Sequence, residues 1–363
     1  MSFDLVRAVE IPLPDLHDEA ARQLEICNAC RYCEGFCSVF PAMTRQKSFA
    51  SGDITHLANL CHNCRGCWYS CQYTPPHEFA LNIPAILAEV RQTSWQDHAW
   101  PEPLARVFHQ SGLAVAAVLV GAISLLLLVM SSGSVSAETD FYDLIPHEVM
   151  VAIFLPAFLL PLLVVAMGLR RYWTATGGRA VRGSEMKAAF ASAIRLRNLS
   201  GGQGQGCNFE KRDRYSNARR HAHQVVVLGF MLCLAATSVA TVMHYAFAMP
   251  APYGLFSPPK LLGLSGGVLL CAGSACLALL KLKADRSLGA SRVWGGEMAF
   301  VLLLFLIASS GLALDQSTGW ALRAFLALHL GSVFGFFLLL PYSKMVHGFF
   351  RLAALIIEEQ KKT

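Results

Sequence analysis

The chain has 363 residues, of which 54% are hydrophobic and 15% are charged, and so small a charged fraction argues against an ordinary soluble protein. The net charge of +6 conceals an acidic part, residues 1–108 with 8 basic and 12 acidic side chains, and a basic remainder with 22 and 12. The basic residues flank apolar stretches instead of forming a patch on a soluble domain, which argues against nucleic acid as a partner.

Two cysteine runs dominate the acidic part. Each reads C-x2-C-x2-C-x3-C, and the second repeats the first at an offset of 34 residues. This spacing is typical of bacterial ferredoxins with two [4Fe–4S] clusters, in which the fourth cysteine of each run binds the other cluster. The runs therefore predict one cluster held by Cys27, Cys30, Cys33 and Cys71, and a second held by Cys61, Cys64, Cys67 and Cys37.

Other interpretations of the cysteines fit less well. Structural zinc usually takes two pairs of ligands separated by a longer loop, and a third cysteine at this spacing suits it poorly. Disulfides need an oxidising compartment, which the membrane topology below argues against. Proline usually follows such a run, but Ser38 and Gln72 occupy that position here. The runs therefore predict the presence of two clusters more firmly than they predict which cysteine is the fourth ligand of each.

The segments around the runs are predicted to be helical. Residues 16–26 and 54–60 each lead into a run, and residues 84–92 lead away from the second. The unit of helix, cluster loop and helix therefore occurs twice. This duplication predicts a helical ferredoxin-like domain over residues 1–108. This part has no continuous apolar run and carries an acid at Asp4, so it is not expected to be a secretory signal.

The basic part, residues 109–363, is predicted to be a six-helix membrane domain. Six stretches are long and apolar enough to cross a hydrocarbon core of about 30 Å. They cover roughly residues 111–130, 147–169, 223–247, 261–282, 297–314 and 323–342. The expected fold class is therefore mostly α, a two-cluster ferredoxin-like domain followed by a b-type cytochrome-like bundle.

Charge asymmetry between the loops orients the predicted spans. Twelve Lys and Arg residues lie between positions 170 and 220, whereas the first outer loop has Glu138, Asp140 and Asp143 and no base. Because basic loops stay in the cytoplasm, both termini and the cysteine runs are predicted to be cytoplasmic. We expect a multi-pass protein of the bacterial inner membrane.

Histidines at the ends of two spans suggest a second cofactor. His329 and His347 are 18 residues apart, which on one continuous helix is five turns and about 27 Å. His223 and His244 are 21 residues apart and also match the thickness of the membrane. Two b-type haems are therefore hypothesised, an outer one on His244 and His329 and an inner one on His223 and His347.

Simpler roles compete for these and other side chains. Histidines at helix ends can merely sit in the interface, hydrogen-bonded to water and headgroups. His147 and His109 could bind haem or line a quinone pocket, although lone interfacial histidines usually do neither. Cys207 is interpreted as a plain loop cysteine, and the three cysteines inside apolar spans as small packing residues.

The motifs that carry a family resemblance extend along the whole chain. They are CNACRYCEGFC, CHNCRGCWYSC, PPHEFALNIP, RRHAH, ATSVATVMHY, LALHLG and LPYSKMVHG. Together they resemble the tricarballylate (citrate) utilisation protein B family, TcuB or CitB, and the C-terminal part of CobZ is also similar. The resemblance implies a membrane electron carrier that reoxidises the reduced flavin of a TcuA-like dehydrogenase, a cytoplasmic FAD-dependent protein.

The implied route leads from that flavin through the clusters and b haem to a membrane quinone. The sequence has no Gly-rich flavin-binding fingerprint after a strand, so the flavin is expected to belong to the partner. Two other functions stay open at this point. The chain could be a membrane-anchored redox sensor without turnover, or a reductase subunit that passes electrons from quinol to a soluble acceptor.

Overall fold

A computed structural model describes residues 16–131, 141–200, 204–208, 214–286 and 288–362. Asp4, Glu138 and Asp140 of the predictions above lie outside these ranges. Within them the chain is mostly helical, as the sequence predicts. The single sheet of the described part is a two-stranded antiparallel hairpin, β1 (Cys207–Asn208) and β2 (Tyr215–Ser216), which pairs Cys207 with Ser216 and Asn208 with Tyr215.

From Leu16 onwards, where the structure describes the N-terminal part, five helices surround the cysteine runs. They are α1 (Leu16–Cys30), α2 (Val39–Thr44), α3 (Ser51–Leu60), α4 (Gly66–Tyr69) and α5 (Ile83–His98). Helices α1, α3 and α5 pack on one another, and their apolar faces close over a core that contains Leu24, Leu57 and Leu87. Asn82 caps α5, since its side chain accepts a hydrogen bond from the N–H of Ala85 at 3.2 Å.

The two cysteine runs differ in how they leave their helices. Helix α1 was predicted to end near residue 26 but continues through Cys30, whereas α3 ends at Leu60, directly before Cys61. Arg31 and Arg65, which occupy equivalent positions in the repeat, both adopt the left-handed region with φ of 56° and 64°. These turns fold each run back on itself so that its first three cysteines face one space.

In the described part of the chain, six helices are long and apolar enough to cross a membrane, the same number as the predicted spans. They are α6 (Glu102–Met130), α8 (His147–Ala175), α10 (Ala218–Phe247), α11 (Pro258–Lys283), α12 (Ser291–Asp315) and α13 (Gly319–Leu339). Helix α10 packs on α11, α11 on α12, and α12 with α13 on α6. A short helix, α7 (Phe141–Leu144), precedes α8.

Small residues let two of these helices approach closely. A Cβ atom at Gly229 of α10 would lie 2.5 Å from the backbone nitrogen of Leu270 on α11, and one at Gly266 would lie 2.8 Å from the nitrogen of Cys233. Close backbone approach at glycine is a common way for membrane helices to associate. The α10–α11 pair is therefore packed along backbone surfaces that have no room for a side chain.

The sixth span is not continuous with the segment that carries His347. The predicted span over residues 323–342 corresponds to α13, but the expectation that His329 and His347 share one face of a continuous helix is wrong. Helix α13 ends at Leu339, a short 3-10 turn covers Lys344–Val346, and α14 (His347–Lys362) is a separate helix. Pro341, which cannot continue a helical hydrogen-bond ladder, stands in the break.

Helix α14 returns to the cysteine-containing part of the chain. It packs on α3, on α8 and on α9 (Gly183–Ile194). Its Phe350 lies 5.1 Å from Tyr172 of α8 and 6.1 Å from His98 of α5, measured between ring centroids. Residues of three segments that are distant in sequence therefore form one aromatic cluster where the N-terminal part meets the long helices.

A buried carboxylate also fixes α14 against the N-terminal part. Glu358 is 2% exposed and accepts a hydrogen bond of 2.5 Å from Arg45. His56 Nε2 lies 3.6 Å from the same carboxyl group, beyond hydrogen-bond range. Burial lowers the pKa of His56, so the imidazole is neutral at neutral pH and Arg45 supplies the balancing charge. Although burial opposes it, the hydrogen bond and positive charge of Arg45 help to hold the pKa of Glu358 below its usual value.

Candidate electron-transfer site

The first cavity of the N-terminal part is lined by four cysteines from both runs. Cys27, Cys30 and Cys33 of the first run meet Cys71 of the second around a space of about 310 Å³. Cys30 is exposed, so this cavity opens to the surface. The four thiols are the set that crossed ligation assigns to one [4Fe–4S] cluster, and both the donors and the room fit such a group.

The second cavity is lined by the other four cysteines of the runs, Cys37, Cys61, Cys64 and Cys67. It is narrower, about 20 Å³. The set of four thiols, more than the free volume, is what makes this site fit a second cluster. Phe40 lines both cavities, so the two sites are neighbours that share one side chain.

The thiols of each set line a cavity. Among the described residues, no three His, Cys, Asp or Glu side chains are grouped as ligands of a single metal ion. A [4Fe–4S] cluster takes each of its thiolates at a different iron, so cysteines spread around a cavity are the arrangement it requires.

The environment of the cysteines disfavours deprotonation of their thiols unless a cation is bound nearby. Burial, followed by repulsion from Cys71, raises the pKa of Cys27 to about 12. Burial likewise raises the pKa of Cys64 to about 12, with repulsion from Cys207 next. Such thiols stay protonated at neutral pH unless bound metal displaces the protons. Binding of a cluster is therefore expected to release protons from these sites.

Backbone donors point at several sulfur atoms. The N–H of Asn63 lies 3.4 Å from Cys61 Sγ, and the N–H of Tyr73 lies 3.4 Å from Cys71 Sγ. Hydrogen bonds to the sulfurs are one of the ways in which a protein sets the potential of an iron–sulfur cluster. The loops therefore supply polar contacts to the ligands as well as the ligands themselves.

The predicted inner histidines come together. The rings of His223 on α10 and His347 on α14 have their centroids 6.0 Å apart at an interplanar angle of 86°. Imidazole nitrogens bind first-row metals at about 2 Å, so two rings on opposite sides of one iron stand roughly 6 Å apart between centres. His347 Nδ1 contacts the carbonyl oxygen of Lys344, whereas His223 Nδ1 is buried without a partner among the described residues.

That geometry fits an axial pair. A ring nitrogen that donates to a carbonyl fixes the tautomer and leaves the other nitrogen for a metal. A haem held by His223 and His347 would lie where the long helices meet the cysteine-containing part of the chain.

The predicted outer histidines have separate neighbours. His244 stacks on His147 at 4.1 Å between centroids, and His147 Nε2 lies 3.2 Å from the hydroxyl of Tyr245. His329 Nδ1 lies 3.1 Å from the carbonyl oxygen of Ile307 on α12. These contacts join His244 to His147 and His329 to α12, and an outer haem on His244 and His329 stays a prediction.

Two features near the second cavity escaped the sequence analysis. Cys207, interpreted as a plain loop cysteine, is buried, and the neighbouring Asn208 donates its N–H to the carbonyl oxygen of Cys64 at 2.9 Å. His62 is half-buried beside arginines, and desolvation with the charges of Arg351 and Arg219 lowers its pKa well below the usual value. Only the position of His62 beside Cys61 gave any sequence signal.

The comparisons with known proteins agree over nearly the whole chain. The family model described as "Citrate utilization protein B" matches residues 102–363, and the "Citrate utilization protein B Fer4-like domain" matches residues 20–99. "Citrate utilization protein B" of Escherichia coli is 42% identical over 345 residues, which is 93% of this chain and 90% of that protein. No solved structure matches. The chain therefore belongs to the citrate utilization protein B family.

Proposed function

We propose that this chain carries electrons from the reduced flavin of a cytoplasmic partner dehydrogenase into the membrane, where a quinone accepts them. The observation that carries the proposal is the division of eight cysteines into two neighbouring sites, each with three cysteines of one run and one of the other. The Fer4-like domain of the family supports an iron–sulfur electron-transfer role. Six helices long and apolar enough to span a membrane support the destination.

The cofactors implied by the family supply the redox chemistry. [4Fe–4S] clusters and b-type haem accept and return single electrons when bound. The cysteines of the two cavities would hold the clusters, and His223 with His347 would hold a haem. The chain's own contribution is to bring these sites near one another and to leave the first the most open to solvent.

The sites follow one another from the surface inwards. Cys30 lies at the surface of the first cavity, Phe40 lines both that cavity and the second, and the loop of the second is bonded by Arg219 of α10. Arg219 and His223 are one turn apart on α10. We infer that the flavoprotein docks at the first site and that α10 links the second site to the inner histidines.

The test of the proposed function is flavin reoxidation. Membranes that contain this chain are mixed with a reduced FAD-dependent tricarballylate dehydrogenase-like partner, and the return of flavin absorbance is followed. Replacement Cys64→Ala is expected to abolish the reoxidation that depends on the chain, whereas Cys276→Ala, an exposed position on α11, is expected to preserve it. An unchanged rate in Cys64→Ala would contradict the proposal.

The haem is tested separately. The reduced-minus-oxidised spectrum of the purified chain is expected to contain a b-type α-band. A spectrum without that band would remove haem from the proposal and leave the iron–sulfur sites to be judged by flavin reoxidation alone.

A further inference from the structure

Arginines from three helices bind the backbone that begins the second cysteine run. The carbonyl oxygens of residues 60–63 all accept from them. Arg91 of α5 and Arg351 of α14 both donate to the carbonyl oxygen of Cys61 at 2.6 Å. Arg351 also donates to the carbonyl oxygen of Leu60 at 3.4 Å. Arg219 of α10 donates to the carbonyl oxygens of His62 and Asn63 at 3.5 and 2.9 Å.

Two of these charges, Arg91 buried and Arg351 half-buried, have no carboxylate to balance them. Arg91 is 6% exposed, and neither Arg91 nor Arg351 forms an ion pair with any Asp or Glu that the structure describes. A buried charge without a counter-charge is costly. The carbonyl oxygens offset part of that cost through their dipoles, but they carry no net charge.

A cluster in the second cavity would provide the missing counter-charge. A [4Fe–4S] group with four thiolate ligands is negative, and it becomes more negative by one charge when reduced. Nearby positive charge stabilises the reduced form more than the oxidised form, and net charge is among the factors that set the potential of such clusters. Because burial lowers the effective dielectric constant, the influence of a guanidinium group is larger here than in water.

The equivalent backbone of the first run has no such arginines. Residues 26–29 belong to α1, and the oxygen of Cys27 accepts from the backbone N–H of Arg31 at 2.9 Å. The Arg31 side chain reaches Asn28 O at 3.0 Å but is exposed, so water screens its charge. The two cavities therefore have matching cysteines and different electrostatic surroundings.

We propose that Arg351 is a positioning residue that raises the reduction potential of the cluster held by Cys37, Cys61, Cys64 and Cys67 above that of the other cluster. An electron that leaves the exposed site then moves to the buried one, oxidising the first and reducing the second, and so travels towards the membrane. This inference rests on the proposed function, because it requires clusters in both cavities. Arg91, which binds the same oxygen, acts in the same direction.

A purely structural role for these arginines makes a different prediction. Basic side chains commonly bond the last carbonyls of a helix, and α3 ends at Leu60. As a cap alone, Arg351 could be replaced by glutamine, which keeps an N–H donor and loses the charge, without effect on any reduction potential. Replacement by lysine keeps the charge and changes the shape of the donor.

The experiment is an EPR-monitored redox titration of the purified full chain in detergent. Arg351→Gln is expected to lower the reduction potential of one cluster. At a fixed ambient potential, the ratio of reduced to oxidised cluster should fall about tenfold, which corresponds to about 59 mV for one electron. The other signal is expected to move much less. Arg351→Lys should keep most of the parent potential, and Arg106→Gln, an exposed arginine on α6, should change neither signal.

If Arg351→Gln does not fold, Arg91→Gln tests the same charge at the same carbonyl. Unshifted signals in either folded glutamine variant, or equal shifts of both clusters, would overturn the role of these arginines. A parent chain without any [4Fe–4S] signal would instead refute the proposed function.

Discussion

The crossed grouping of the cysteines can be tested by iron content and by spectral identity. Two [4Fe–4S] clusters contain about eight irons, so loss of one cluster leaves about four. Cys71→Ala removes a thiol from the first cavity although the residue belongs to the second run. We expect about four irons per chain and the loss of the cluster that Cys27 also binds.

The identity of the lost cluster is read from the EPR spectrum of what remains. Cys27→Ala and Cys71→Ala should leave the same residual spectrum, because both cysteines line the first cavity. Cys64→Ala and Cys37→Ala should leave the other spectrum, because both line the second. Cys276→Ala should retain both signals and about eight irons.

A different matching of the spectra would refute the reasoning. If each run held its own cluster, Cys27→Ala would match Cys37→Ala, and Cys64→Ala would match Cys71→Ala. The comparison does not depend on which signal belongs to which cavity, since it asks only which pairs of variants are alike.

Three further predictions concern the packing and the inner histidines. Glu358→Gln should destabilise the folded chain by about 2 kcal/mol at neutral pH. Because the carboxyl pKa is held below 4.5, this contribution is lost only as pH falls through the folded-state pKa, so thermal unfolding of parent and variant should converge in acid. Gly229→Ala should cost about 1–3 kcal/mol, because the new Cβ meets backbone at 2.5 Å, whereas Gly121→Ala has open space and should be silent in the same unfolding assay. His223→Ala and His347→Ala should each remove the same part of the b-type α-band, and spectra identical to the parent would contradict their pairing.

Features that depend on local sequence could be predicted. Six apolar stretches became six long helices, because the length and composition of a span lie within one continuous segment. The spacing within each run likewise lies in one segment, so it predicted which residue types would surround each cavity. The end of the helix before His347 could also have been predicted, since Pro341 lies inside the predicted span. The span was assigned from hydropathy, which does not register a break at proline.

Features that depend on distant segments could not be predicted. His244 was paired by depth in the membrane, yet depth does not say which helix lies beside it, and the structure places His147 there. Arg219 was counted among the bases that orient the spans, although it also bonds the backbone of the second cysteine run. Arg351 gave no sequence signal, because its partners lie 290 and 291 residues away.

The second cysteine site is built by the whole chain, and this has a consequence for dissection. A fragment of residues 1–108 retains every cysteine of the two runs but loses Arg219, Arg351 and the apolar face of α14 that covers α3. We expect such a fragment to be poorly soluble and to hold at most the first cluster, about four irons. Iron content and EPR of the fragment, compared with the full chain, measure this. A soluble fragment with about eight irons and both parent signals would show that the N-terminal part completes its second site without the remainder of the chain.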